Sequence, residues 1–227
     1  MSDHTVLHVK GRVLVGPEEV RDELWVIDGR ISYDRPAGAG DVRTVRGWAV
    51  PGLVDAHCHV GLDQHGAVPE DVAEKQALTD DTIPLFAERG VAIVPTLVNI
   101  ATFPALADGG ESKFPRWSAH MRRLHERRYD TVRSAYDAGV PVFVGTDAGG
   151  SLAHGLAAAE VGELVTAGIP PVEALAATTW AARRWLGRPG LDEGAPADLV
   201  VFDEDPRADV RVLGAPRRVV LNGRVVG

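Results

Sequence analysis

The clearest pattern in the chain occurs twice: two short apolar runs joined by a two-residue polar turn. Leu24-Trp25-Val26-Ile27 and Arg30-Ile31-Ser32-Tyr33 flank Asp28-Gly29, and Arg218-Val219-Val220-Leu221 and Arg224-Val225-Val226 flank Asn222-Gly223. Asp-Gly and Asn-Gly suit a tight hairpin because both central positions need positive φ. Leu199 to Phe202 is a further β-branched run, set between the turn-rich stretches GLDEGAPAD and DEDP. An isolated hairpin does not hold in water. Residues 1–50 and 190–227 are therefore expected to meet in one small β domain.

Residues 51–189 alternate between strand and helix patterns. Leu53 to Val60 is an apolar run interrupted by a few polar groups, Val91 to Leu97 reads as a buried strand, and Val140 to Thr146 as another. A helix is expected to run from a cap at Thr79-Asp80-Asp81 through Arg89, with Pro84 near its first turn and Gly90 as its stop. Residues 116–138 form a long amphipathic pattern with Trp117, Met121, Leu124, Val132 and Ala135 on one side. Two more helices are expected at about 155–167 and 170–186, each followed by glycine. The longest uncharged run, Gly90 to Ala107, contains Pro95, Asn99 and Pro104. It reads as a buried strand plus loop and not as a membrane span.

Composition narrows the function classes. The chain has 227 residues, with 24 basic and 32 acidic side chains and a formal net charge of −8. That balance argues against general nucleic-acid binding. The arginines of the long helix (116, 122, 123, 127, 128 and 133) read as a solvated face balanced by Glu126 and Asp130. With Cys58 as the single cysteine, no intrachain disulfide can form. The N-terminal stretch MSDHTVLHVKGR lacks a signal-peptide core, so the expectation is a cytoplasmic protein without membrane association.

Two stretches carry candidate chemistry. In LVDAHCHV, strand alternation puts Asp55, His57 and His59 on one face and Cys58 on the other. Two imidazoles at i and i+2 can bind one metal ion, and zinc accepts histidine nitrogen readily; the competing reading is a structural histidine pair. In VFVGTDAGG, Asp147 falls where an apolar strand ends, the place where α/β enzymes put catalytic groups. It can ligate a metal and accept a proton from water, or it can cap the next helix. His154 nearby is a weaker candidate for substrate or metal contact. His4, His8, His65, His120 and His125 read as surface or loop groups, and Lys75 sits in the polar stretch EDVAEKQAL.

Taken in order, these stretches resemble the amidohydrolase superfamily, in particular its imidazolonepropionase-like and Xaa-Pro dipeptidase-like branch. PGLVDAHCHV resembles the first barrel strand and LTDDTIPLFAERGVAIVPTLV the approach to the seventh. VPVFVGTDAGG resembles the eighth strand, AGIPPVEALAATTWAARRWLG the helix after it, and GLDEGAPADLVVFDEDP the return into the β domain. The resemblance implies an α/β fold, a TIM-type (β/α) barrel beside a composite β-sandwich. It implies a bound zinc or similar divalent ion and hydrolysis of C–N bonds in small molecules. By position it assigns His57 and His59 to the metal and Asp147 to the metal and to proton transfer.

The length does not fit a whole barrel. Roughly 90 residues separate His59 from Asp147, where six strands and seven helices at roughly 30 residues per unit need on the order of 200. The family pattern also expects a carboxylated lysine, or its equivalent, and two further histidines on middle strands, and no counterparts are found. An incomplete barrel is therefore expected, with the join near residues 75–82. Two readings follow: a shortened metal hydrolase, or a catalytically inactive remnant. An open piece of parallel sheet exposes edges and apolar faces, so homo-oligomers or aggregates are expected.

Overall fold

The computed structural model describes residues 6–37, 42–57, 81–150 and 152–226. The chain divides into two compact units, Met1–Val54 with Pro171–Gly227, and Asp55–Pro170.

The first unit is built on a seven-stranded mixed sheet. Its strands are β1 (Val6–Leu14), β2 (Val20–Ile27), β3 (Arg30–Ser32), β4 (Val42–Pro51), β5 (Leu199–Phe202), β6 (Arg218–Leu221) and β7 (Arg224–Val225), in the order β3-β2-β1-β4-β5-β6-β7. Only β1 and β4 pair in parallel; the other neighbours are antiparallel. The two ends of the chain meet at β4 and β5, where Trp48 pairs with Phe202 and Pro51 with Leu199. Both expected hairpins form, with positive φ at Asp28 (50°), Gly29 (80°), Asn222 (50°) and Gly223 (75°).

The strands make one sheet and not the two stacked sheets of a sandwich. The reason lies at the edge of β3, where residues 194–197, which lead into β5, take up its hydrogen bonds. Ile31 N donates to Ala195 O (2.9 Å), Gly194 N to Ile31 O (2.8 Å) and Ala197 N to Gly29 O (2.9 Å). The sheet thus curls until both its halves line one core, which includes Val9, Val13, Leu24, Ile31, Leu199 and Val201. His8, expected at the surface, instead stacks on Trp25 with ring centroids 3.9 Å apart and bonds Glu23 through Nε2 at 2.8 Å. The expected single helix at 170–186 is two, Pro171–Ala176 and Trp180–Trp185. Between them the Thr178 hydroxyl donates to Val54 O and the Thr179 hydroxyl to Leu175 O, which fixes the chain off the helical path.

In the second unit the helices are α1 (Ile83–Arg89), α2 (Leu97–Ile100), α3 (Phe103–Gly110), α4 (Pro115–Asp137) and α5 (Ala157–Thr166). Gly90 ends α1 in the left-handed conformation as expected; its N-cap is Thr82, and Thr79 and Asp80, two of the three residues expected to cap this end, lie outside the described residues. The strands expected at 91–97 and 140–146 reduce to extended segments joined by one parallel bridge, Ile93 to Val142. Thr96, at φ 51°, turns the chain into α2, and α3 follows where a loop was expected. Pro104 does not break α3 because it lies in the first turn, where its missing N–H has no partner to lose. Helix α4 buries Met121, Val132 and Ala135 as its pattern predicts, and it also buries Ser118 and His120. Arg122 reaches back to Asp108 and Glu111, and Arg133 pairs with Asp137 one turn on. Among the described residues no helix is long and apolar enough to cross a membrane.

Candidate active site

The site is built where residues 56–57 lie along residues 144–147. Ala56 N donates to Val144 O (2.8 Å), and the carbonyl of His57 accepts from Thr146 N (3.0 Å) and Asp147 N (2.7 Å). Gly145 permits this approach. A Cβ there would stand 2.2 Å from Val94 Cγ1, 2.7 Å from His57 Cβ and 2.8 Å from His57 N. Asp147 itself sits at φ 55°, in the left-handed region that a non-glycine residue rarely enters. Strain at such a position persists only where surrounding contacts hold it, as they commonly do at functional sites.

Side chains converge at the same place. His57 Nε2 lies 3.3 Å from Asp147 Oδ1. The other carboxylate oxygen of Asp147, Oδ2, accepts from Asn99 Nδ2 at 2.6 Å. Asp55 plays a different part from its neighbours. Its Oδ1 accepts from Thr146 N (3.0 Å) and His57 N (3.3 Å), and its Oδ2 from the Thr146 hydroxyl (2.5 Å). Both of its oxygens are engaged in clamping the two segments together. His57 and Asp147 keep side-chain exposures of 49% and 25%, enough for a small molecule to reach them.

Three further residues support this arrangement without having stood out in the sequence: Gly145, Asn99 and Glu160. Glu160, on the first turn of α5, is fully buried. Its two oxygens accept from the backbone N–H groups of Leu97 and Val98, each at 2.8 Å. Burial pushes its carboxyl up to about 7, against the pull of those two hydrogen bonds. A carboxylate spaced to meet a helix start more than sixty residues away leaves no local signal; an acidic residue inside the apolar run AAAEVGELV was the available hint.

His154 is exposed on the loop before α5. His59, the other residue assigned to the metal, lies outside the described residues, as do Cys58, His65 and Lys75. Among the described residues no set of three or more His, Cys, Asp or Glu side chains converges as a metal site. The described donors are the imidazole of His57 and the carboxylate of Asp147, types that suit zinc and similar divalent ions.

Residues 63–226 match the model of the amidohydrolase family. The chain belongs to that family. An uncharacterised protein of Mycobacterium bovis is 32% identical, over 97% of this chain and 96% of the relative. That match extends over 358 residues, against 227 in this chain, so the relative carries residues with no counterpart here. Ochratoxinase of Aspergillus niger is 29% identical over 177 residues, which cover 74% of this chain and 36% of ochratoxinase. The crystal structure of a Xaa-Pro dipeptidase with bound methionine in its active site shares the fold at a TM-score of 0.73 and 16% identity, over 98% of this chain and 99% of that one. By family, this amidohydrolase is a hydrolase, and its relatives' fold implies a TIM-like barrel.

Proposed function

We propose that the chain is a metal-dependent hydrolase acting on the C–N bonds of small amide, lactam or dipeptide-like molecules. The observation that carries this reading is the convergence of His57 Nε2 and Asp147 Oδ1 at a partly exposed point held by Asp55, Thr146 and Asn99. His57, His59 and Asp147 would hold the ion, zinc by the chemistry of these donors. Such an ion supplies Lewis-acid polarisation of a carbonyl and a nucleophilic water near neutral pH. Asp147 takes the proton from the attacking water and returns it to the leaving nitrogen. Asn99 fixes one carboxylate oxygen so that the other is presented beside His57. The ochratoxinase relative and the fold shared with a Xaa-Pro dipeptidase support a substrate of dipeptide size.

A second reading has its own support. The match to the mycobacterial relative is longer than this chain, and only two donors converge among the described residues. On this reading the barrel is internally shortened and the protein is an inactive remnant. Exposed Leu85, Val91, Leu106 and Phe114 in the second unit fit self-association under either reading. Metal analysis of the purified chain separates the two. Stoichiometric zinc that is lost on His57→Ala, together with turnover of Xaa-Pro dipeptides or N-acyl amino acids, supports the hydrolase. Trace zinc that does not change on His57→Ala, with no turnover, supports the remnant.

A further inference from the structure

We propose that Glu160 is the positioning residue for Asp147, acting through the start of helix α2 and the Asn99 side-chain amide. The proposal rests on the reading of Asp147 as the proton-transfer residue and extends it to a group that does not touch the reacting atoms.

The argument begins with α2. It is a single turn of four residues, Leu97–Ile100, and its N-cap, Thr96, makes no side-chain cap hydrogen bond. A helix this short does not hold by itself, because nucleation fixes several dihedrals for very few hydrogen bonds. Its first N–H groups also have no partner within the helix. Glu160 supplies both missing elements from another helix, accepting from Leu97 N and Val98 N with one oxygen each. The next residue along is Asn99, whose Nδ2 donates to Asp147 Oδ2 at 2.6 Å.

Asp147 needs such support. Its backbone conformation is unfavourable for a non-glycine residue, so local preference does not fix where its carboxylate points. The Asn99 amide does, and Asn99 is only as well placed as the turn that carries it. The path therefore runs in rigid steps from Glu160 to Leu97 and Val98, to Asn99, to Asp147. Two side-by-side N–H donors also explain why the buried residue is a carboxylate. Glutamine offers one acceptor and turns an NH2 group towards the second N–H, whereas aspartate is one methylene short. Burial of a carboxyl is unfavourable, as the rise of its pKa to about 7 reflects, and the paired hydrogen bonds are what the fold obtains in return.

The test uses the full chain labelled with ¹⁵N and follows the Asn99 side-chain amide by NMR. That resonance is assigned by its loss in Asn99→Asp, and its unbonded position is defined by Asp147→Ala. Glu160→Gln is expected to move it towards the unbonded position while α4 resonances stay in place. Steady-state kinetics of the zinc-loaded chain should show kcat reduced about tenfold with KM little changed, and Glu160→Gln with Asn99→Ala no worse than the more damaging single variant. An Asn99 resonance unmoved in Glu160→Gln overturns the proposal. If Glu160→Gln does not fold, wild-type amide exchange decides. Leu97 and Val98 exchanging as slowly as the middle of α4 supports the proposal, and exchange at frayed-end rates overturns it. Because the NMR and exchange arms need no turnover, a chain that moves Asn99 as expected but hydrolyses nothing refutes the enzyme reading and leaves the positioning path standing.

Discussion

Gly145→Ala is the sharpest structural test of the site. The added methyl would lie 2.2 Å from Val94 Cγ1, 2.7 Å from His57 Cβ and 2.8 Å from His57 N. Unstrained carbon–carbon contacts sit near 3.5–4.0 Å, so the overlap is on the order of 1 Å. The valine methyl can rotate away; the backbone nitrogen of His57 cannot. Relief requires residues 56–57 to move outwards, which stretches the bonds from Thr146 N and Asp147 N to His57 O, now 3.0 and 2.7 Å. Overpacking of this kind costs roughly 1–3 kcal/mol, and each of the two hydrogen bonds adds about 0.5–1.5 kcal/mol where it is lost. The expected destabilisation is about 2–6 kcal/mol, read as a shift of the urea midpoint at unchanged slope. The same displacement pulls His57 away from Asp147, so zinc affinity should fall in step. Gly109→Ala is the control: nothing lies within 4 Å of its added Cβ, and a helical alanine should be neutral or mildly stabilising. If Gly145→Ala proves as stable as wild type and binds zinc equally well, residues 56–57 do not pack on 144–147 as described.

Other expectations follow from the same geometry. Asp55→Asn removes one of the acceptors that clamp Thr146 and should cost about 1–3 kcal/mol in urea melts, without abolishing the fold. Glu160 contributes a pH dependence whose sign is fixed. Its folded carboxyl titrates near 7, against 4.5 for an ordinary one, so the folded chain holds a proton that the unfolded chain has already lost. Its contribution to stability is complete below about pH 4.5 and is lost as pH rises through 7; urea midpoints of wild type and Glu160→Gln compared at pH 5 and pH 8 should diverge accordingly. Arg183→Met removes donors to the carbonyls of Gly52 and Pro189 and should lower the melting temperature of the sheet unit while leaving zinc binding unchanged.

The parts of this fold that could be read from the sequence were those set by neighbouring residues. Asp28-Gly29 and Asn222-Gly223 dictate their hairpins because few residue pairs accept positive φ twice in succession. Helix α4 announced itself through charge on one side and Met121, Val132 and Ala135 on the other. Residues 97–107 did not, since an uncharged stretch carries no polar face to mark a helical period, and Pro104 read as a breaker. The site divided in the same way. His57 and Asp147 stood out because they lie in compact motifs. Asn99 and Glu160 did not, because Asn99 meets its partner 48 residues away and Glu160 meets its partners 62 and 63 residues away. Asp55 was legible as important but not in its role: alternation along an expected strand put it on one face with His57, but residues 52–57 form no strand and Thr146 occupies its oxygens.

The pairing of β4 with β5 has a consequence for how this protein is judged in the laboratory. Pro51 and Leu199 close a loop of roughly 150 residues, and closure entropy grows so slowly with length that doubling the loop would change it by only about 0.6 kcal/mol. The sheet is a clasp nearly indifferent to what hangs from it. A middle segment the length of this one, or one longer by what the mycobacterial relative adds, leaves the register of Trp48 on Phe202 equally favourable. The fluorescence of Trp25 and Trp48, and a melt followed by it, therefore vouch for the clasp alone. A preparation can pass every one of those checks with His57 and Asp147 out of position, so quality control for this chain has to be read at residues 55–57 and 144–147 themselves.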